Sequence, residues 1–263
     1  MAMWVAAQQR SAAHPSSSAA GVEVAVAAPD ELNAALTELA RKFEQKTGKH
    51  VRLSFGDSEN LSGIIKSDPG PDAVFLPDVN DVRRLAASGV VTSSSITSYA
   101  RDPMVLCIAP WVRFDPRLGN PLLLLTAKNI PKIAISSPQH TAFGKVTVQA
   151  LTAMHIYDFE LRRKILVAAD VAQTAEYLEK GNADVALLPG SALNVHHLSS
   201  ARVIPIPSKK LYTPIQMGAG VLKRSRHSRE ALEFLRFAVS SEGKATFRDA
   251  GFDVPQPAAA RKR

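Results

Sequence analysis

The sequence predicts an α/β protein made of two units, and three observations carry that expectation. Short apolar strands alternate with amphipathic helices over residues 22–90. The alternation is interrupted near Arg101, and a second series of strands and helices runs on to about residue 206. A strand at 216–222, followed by two helices, then reads as a return to the first unit. Strand–helix alternation with short connections argues for parallel sheets covered by helices on both faces. A chain of 263 residues suits two units of roughly 100–150 residues each.

In order, residues 22–27 form an apolar strand, closed by Pro29-Asp30. Leu32, Ala35, Leu36, Leu39, Ala40 and Phe43 then recur at helical spacing. Asp30 is placed to cap this helix and Gly48 to end it. Val51, Leu53 and Phe55 alternate with polar residues as a strand does. A turn at Gly56-Asp57-Ser58 opens a second helix with Leu61, Ile64 and Ile65 on one face. Residues 73–76 form a buried strand, and 80–88 a short helix closed by Gly89.

The second unit contains strands at 104–109, 132–135, 183–188 and 202–206. Its helices run to about residue 154, over 160–165, and over 172–180 up to Gly181. After the return strand, helices are expected at 229–240 and 243–250. Residues 1–21, short of a full apolar core and rich in Ala and Ser, read as unstructured or the remnant of a targeting segment. The tail 255–263 reads as disordered.

Nearly half the residues are apolar, yet none of the runs reaches the roughly 18 residues of a membrane-spanning helix. The formal net charge of +8 raises the question of nucleic acid. Apart from short groups at 162–164, 209–210, 223–226 and 261–263, the basic residues are scattered, with no aromatic or zinc-ligand pattern beside them. No nucleic-acid partner is therefore expected; scattered cations can still speed the arrival of an anion. Cys107, the single cysteine, lies in an apolar run and reads as a small buried residue. His140 reads as a solvated loop residue, and the adjacent pair His196-His197 has poor spacing for a metal, so no metal site is expected.

Ligands of open α/β sheets bind beyond the carboxyl ends of the strands. The loops to watch are therefore 27–31, 55–60, 136–144, 169–172 and 188–192. Together they resemble those of the molybdate-binding proteins of ABC importers. The strand 22–27 running into Asn33-Ala34 is similar to that family's opening. Residues 51–61, VRLSFGDSENL, are similar to its second strand and serine turn. Gly70-Pro71-Asp72-Ala73 with Pro77-Asp78 resembles its G-x-P-x-D segment. Ser137-Pro138-Gln139-His140 with Gly144 resembles its third loop, and Asp170-Val171, Gly190-Ser191-Ala192 and 247–252 also fit.

The resemblance implies a two-lobed, periplasmic-binding-protein-like fold of type II with two hinge crossovers. Residues 22–100 and 215–254 would form lobe 1, and 101–214 lobe 2. It implies a monomeric solute-binding component of an ABC importer, working outside the cytoplasmic membrane with a membrane permease. Its ligand would be molybdate or tungstate, held in the cleft between the lobes by neutral donors, with no cofactor and no catalysis. The family's ligand positions fall on Asp30, Ser58, Phe143, Val171 and Pro189. Ser58 matches a serine that donates both hydroxyl and N–H, and Val171 a position that donates N–H.

The other three depart from the pattern. Asp30 stands where the family has a serine, Phe143 where it has a small residue, and Pro189 where it has a tyrosine. A carboxylate in the cleft repels an anion, and Pro189 removes both a hydroxyl and a backbone donor. These changes imply weaker molybdate binding, or a different anion or small organic solute. An enzyme on the same scaffold would have to use carboxylates such as Asp30, Asp57 and Asp72 as its acid and base.

Overall fold

The computed structural model describes residues 23–56, 58–114 and 120–254. Residues 1–21, the tail 255–263 and Asp57, all named above, lie outside the described residues.

The first sheet has the order β2-β1-β3-β10-β4, from β1 (Glu23–Pro29), β2 (His50–Gly56), β3 (Ala73–Leu76), β4 (Thr97–Asp102) and β10 (Ile215–Val221). β1 is parallel to β2 and β3, and β10 runs antiparallel between β3 and β4. The second sheet has the order β7-β6-β8-β5-β9, from β5 (Met104–Ile108), β6 (Ile133–Ser136), β7 (Ile165–Ala168), β8 (Val185–Pro189) and β9 (Arg202–Pro205). β6 is parallel to β7 and β8, while β5 is antiparallel to β8 and β9.

Strand alternation explains why each sheet is covered on both faces. In β1, Val24, Val26 and Ala28 join one cluster with Leu36, Leu39 and Phe43 of α1 (Asn33–Thr47). The same cluster takes Phe234 of α7 (Ser228–Ala238) and Phe247 of α8 (Ser241–Asp249). Ala27 faces the other way, with Leu61 and Ile65 of α2 (Ser58–Lys66) and Val82 of α3 (Val79–Ala87). β5 repeats the pattern. Met104, Leu106 and Ile108 meet α4 (Ala142–Ala153) and α5 (Phe159–Lys164) on one face. Val105 and Cys107 meet α6 (Val171–Glu179) on the other. Burying one such Leu or Phe side chain contributes about 1.5–3 kcal/mol. Burial also pushes the Cys107 thiol up to about 12, which suits the small buried residue expected there.

Three local expectations need correction. Asp30 does not cap α1: extended Pro29 precedes a 3-10 turn at Asp30–Leu32, and α1 opens at Asn33 without a side-chain cap. β4 was not among the strands expected from the sequence. Its sequence, TSYARD, lacks apolar alternation, and its pairing with β10 makes it a strand. The helix expected to reach Ile165 ends at Lys164, because residues 165–168 pair with β6 as an edge strand. A four-residue apolar run has no period that separates the two cases. Gly48 behaves as expected: it ends α1 at φ 70°, a left-handed conformation that glycine adopts without steric cost.

The two sheets are joined closely. β4 ends at Asp102 and β5 begins at Met104, so Pro103 alone separates a strand of one sheet from a strand of the other. The chain leaves the second sheet after β9 and re-enters the first at β10.

Candidate functional site

The register of the parallel strands decides which loops share an end. Pro29 of β1 pairs with Gly56 of β2, so the turn at Asp30–Leu32 and the start of α2 at Ser58 leave the same end of the first sheet. Ser136 of β6 pairs with Ala168 of β7, so the starts of α4 and α6 leave the same end of the second sheet. β8 runs parallel to β6 and adds Pro189, followed by a 3-10 turn at Gly190–Asn194.

These ends face each other. The turns Asp30–Leu32 and Gly190–Asn194 pack together, and the Asn194 side-chain amide donates to the Glu31 carbonyl at 3.4 Å. By strand register, Asp30 and Ser58 follow one end of the first sheet, and Phe143, Val171 and Pro189 one end of the second.

The individual positions differ in what they offer. Asp30 is exposed on the first side. Ser58 is the first residue of α2. Phe143 is the second residue of α4, but its side chain is 5 % exposed and belongs to the apolar core under β5 and β8. The apolar bulk expected at this position is thus taken up by the lobe's own core, leaving the backbone N–H as what the residue can present. Gly144, next to it, lets α4 approach β6. A Cβ there would lie 2.4 Å from the carbonyl oxygens of Ser136 and Ser137. Val171 opens α6.

Both helix starts on the second side carry their own caps. Thr141 accepts from the Gly144 N–H at 2.9 Å, and Asp170 from the Gln173 N–H at 2.8 Å. The caps do not use the N–H groups of Phe143 and Val171, and first-turn N–H groups lack intrahelical partners. Those two donors, with the positive ends of α4 and α6, are what this side can offer an anion. Pro189 is buried, and in place of a donor it supplies the extended lead into the turn Gly190–Asn194.

Two acidic groups at the seam were not picked out in the sequence. Asp102, 6 % exposed, accepts from the Ser191 N–H at 3.0 Å and from the Ser191 hydroxyl, with the Gly190 N–H also contributing. Burial pushes Asp102 up to about 6 against those donors, and the charge of Glu31 adds to the rise. Glu31 is itself raised, first by burial, with its own N–H opposing and Asp30 reinforcing. Tyr99, which donates to the Leu76 carbonyl at 3.2 Å, is raised by burial and then by Glu31 and Asp102. The signal that could have found Asp102 is an aspartate directly before the proline that links the two sheets.

Asp72 belongs elsewhere. It accepts from the Ala25 N–H near the start of β1, whereas Asp30 follows the end of that strand. Five residues of strand rise span about 16 Å, so Asp30 and Asp72 cannot act on one substrate as acid and base. His140 is exposed on the third loop. His196 lies 3.6 Å from Glu179, and among the described residues no group of three or more His, Cys, Asp or Glu could hold a metal ion.

The family model described as bacterial extracellular solute-binding protein matches residues 24–253. The molybdate-binding protein of Rhodobacter capsulatus is 26 % identical over 235 residues, 89 % of this chain and 89 % of its own. Among solved structures, the periplasmic molybdate-binding protein of Azotobacter vinelandii superposes with a TM-score of 0.66 at 23 % identity. That match covers 89 % of this chain and all of the other. PEB3 of Campylobacter jejuni, solved with L-phospholactate bound, superposes with a TM-score of 0.69 at 16 % identity, covering 88 % of this chain and 100 % of its own. At these identities the structural matches establish the fold alone, the two-sheet type II binding-protein fold.

Proposed function

Since the chain belongs to the family of bacterial extracellular solute-binding proteins, we propose that it is the receptor component of an ABC importer, closing its two lobes on a small oxyanion. The observation that supports this reading is the packing of the turn Asp30–Leu32 of the first sheet against the turn Gly190–Asn194 of the second; in this reading the starts of α2, α4 and α6 supply backbone donors to the ligand. Each hydrogen bond to a charged ligand contributes about 1.5–3 kcal/mol. Three or four converging donors therefore reach the roughly −8 kcal/mol of micromolar binding. The receptor works outside the cytoplasmic membrane and hands its ligand to a membrane permease; its family is one of binding proteins rather than enzymes.

Molybdate and tungstate are the first ligands to test, because relatives of similar length are named for molybdate. This chain should hold them less tightly. Like unit charges at 4 Å repel by about 4 kcal/mol at an effective dielectric of 20, and a dianion feels about twice that. Asp30 brings such a charge to the first side of the cleft, and Pro189 offers no donor on the second. Calorimetry with sodium molybdate at neutral pH on the unmodified protein and on Asp30→Ser is the direct test. The variant is expected to bind at least tenfold more tightly. Submicromolar binding by the unmodified protein, unchanged by Asp30→Ser, would show that Asp30 faces away from the ligand.

The acidic first side favours a second reading. With Asp30 and Glu31 on one turn and donors on the opposite lobe, the cleft suits a small organic solute that is anionic at one end and cationic at the other. Native mass spectrometry of the purified protein, looking for a retained molecule, separates the two readings.

A further inference from the structure

β6 ends between the two helices whose first turns face the proposed ligand from the second sheet. Side chains alternate along the strand. Ile133 and Ile135 join the cluster that holds Phe143 and Ala150 of α4, and Ala134 joins the one that holds Ala175 and Leu178 of α6. Ser136, the next residue, therefore points toward α6. Its hydroxyl lies 2.9 Å from that of Thr174 on α6, and both residues are fully buried. The main chain of Ser136 meets α4 instead. Its carbonyl oxygen, with that of Ser137, is what a Cβ at Gly144 would strike. One residue thus touches both helices.

The direction of the bond between the hydroxyls follows from their neighbours. Thr174 donates to the Asp170 carbonyl at 2.6 Å. Its one proton is engaged there, so Ser136 is the donor and Thr174 the acceptor. Asp170 is the cap of α6, and the Gln173 side chain closes the cap by accepting from the Ala169 N–H at 2.7 Å. On the other side, the Thr141 hydroxyl that caps α4 donates to the Ser137 carbonyl at 2.8 Å. An unbroken series of contacts runs from the cap of α4 through Ser137 and Ser136 to Thr174 and the cap of α6.

Stability alone does not call for this pair. Replacing both partners of a buried hydrogen bond by apolar groups of the same shape can be nearly neutral, and alanine with valine would fill the same space. What two hydroxyls add is a fixed distance and direction. Groups that hold a ligand must stand within about 0.5 Å of their working positions, which takes a supporting layer of packed and hydrogen-bonded residues. We propose that Ser136 and Thr174 are positioning residues of the anion site: their hydrogen bond sets the spacing between the first turns of α4 and α6, and with it the affinity for the ligand. The inference rests on the oxyanion reading above and names what aligns the donors of that site. Being buried, neither hydroxyl reaches the ligand. Both act through the N–H groups of Phe143 and Val171.

The test is a titration of the isotope-labelled full chain with sodium molybdate, following the amide resonances of Phe143 and Val171 well below the unfolding midpoint. Thr174→Val removes the bond and keeps the shape. Before molybdate is added, this variant should show displaced resonances for both amides, on α4 as well as on α6. It should then bind about tenfold more weakly, as if one charge-assisted bond had been loosened. Thr174→Ser, which keeps the hydroxyl, should restore both positions and affinity. A purely structural role would lower the unfolding midpoint and leave the affinity of the folded protein in place. If Thr174→Val does not fold, Ser136→Ala decides, because it breaks the same bond and leaves that of Thr174 to Asp170. Unchanged affinity in the variants of a chain that does bind molybdate overturns the positioning role alone, as does a displacement confined to α6. An unmodified chain whose two amides do not respond to molybdate overturns the oxyanion reading, and the proposal with it.

Discussion

Asp72 and Asp102 are both buried, each 6 % exposed, and both accept backbone and hydroxyl hydrogen bonds. Their surroundings push them in opposite directions. At Asp72 burial works against the charge, but the donors outweigh it: the Ala25 N–H at 2.9 Å, the Ser225 hydroxyl at 2.7 Å, and the N–H and ring of His227 at 3.4 Å. The carboxyl is held below its usual range. At Asp102 the donors fall short of the cost of burial, and Glu31 adds a like charge. The balance between burial and donors separates the two cases, and at Asp102 the charge of Glu31 adds to the rise. Asp72 is an anchor within the first sheet, tying β1 to the segment after β10. Asp102 sits where the chain passes from the first sheet to the second, and incomplete compensation there leaves its carboxyl raised.

The comparison breaks most visibly if Asp72 is removed. Asp72→Ala leaves the Ala25 N–H and the Ser225 hydroxyl without their acceptor inside the protein. Losing charge-assisted hydrogen bonds and stranding buried donors should cost about 3 kcal/mol. Urea unfolding at pH 7 checks this as a lower midpoint with an unchanged slope. The sign with pH is also set. A carboxyl depressed in the folded state contributes stability that is full above its unfolded value of 3.8 and is lost as pH falls below it. Asp72→Ala should therefore lose less on acidification than the unmodified protein.

Asp102→Asn should act in the other direction and by less. A carboxyl raised in the folded state makes the fold bind more protons than the unfolded chain between 3.8 and about 6. Its contribution therefore falls as pH rises through that window and stays low above it. Asparagine keeps an acceptor for the Ser191 N–H and can donate to the Ser191 hydroxyl oxygen, without a charge to bury. A gain of about 1–2 kcal/mol at pH 7.5, vanishing near pH 4, is expected in thermal unfolding followed across pH. A loss at every pH would place Asp102 with Asp72 as an anchor.

Much of the architecture was legible because it is local. Continuous apolar runs at residues 73–76 and 104–109, helical spacing from Leu32 to Phe43 and stops at Gly48, Gly89 and Gly181 each need only a few neighbouring residues, and the three glycines do adopt positive φ. β4 and β7 were missed because long-range pairing made them strands. The candidate loops were legible because they follow strands. The side chains at the seam were not: Asp102 and Ser191 are 89 positions apart, and Glu31 meets Asn194 across 163. Neither spacing has a local periodicity to reveal it. Phe143 shows the converse limit, since its place in the third loop was readable but its turn into the core depends on how α4 packs on β6.

The smallest effect sharpens the account of Asp72. His227 contributes two contacts, its backbone N–H to Oδ1 and its ring Nδ1 to Oδ2, both at 3.4 Å. The ring is 45 % exposed, so water screens it and can replace it. Exposed pairs of this kind contribute about 0–1 kcal/mol. The backbone N–H survives any side-chain change, and the Ala25 and Ser225 donors are untouched. His227→Ala should therefore cost no more than about 0.5 kcal/mol at pH 7, within reach of replicate urea titrations. Combined with Asp72→Ala it should add almost nothing, because the ring has then lost the group it faces. A cost above about 2 kcal/mol for His227→Ala alone would mean that the ring carries the compensation at Asp72. The difference between the two aspartates would then rest on one histidine rather than on the sum of several neutral donors.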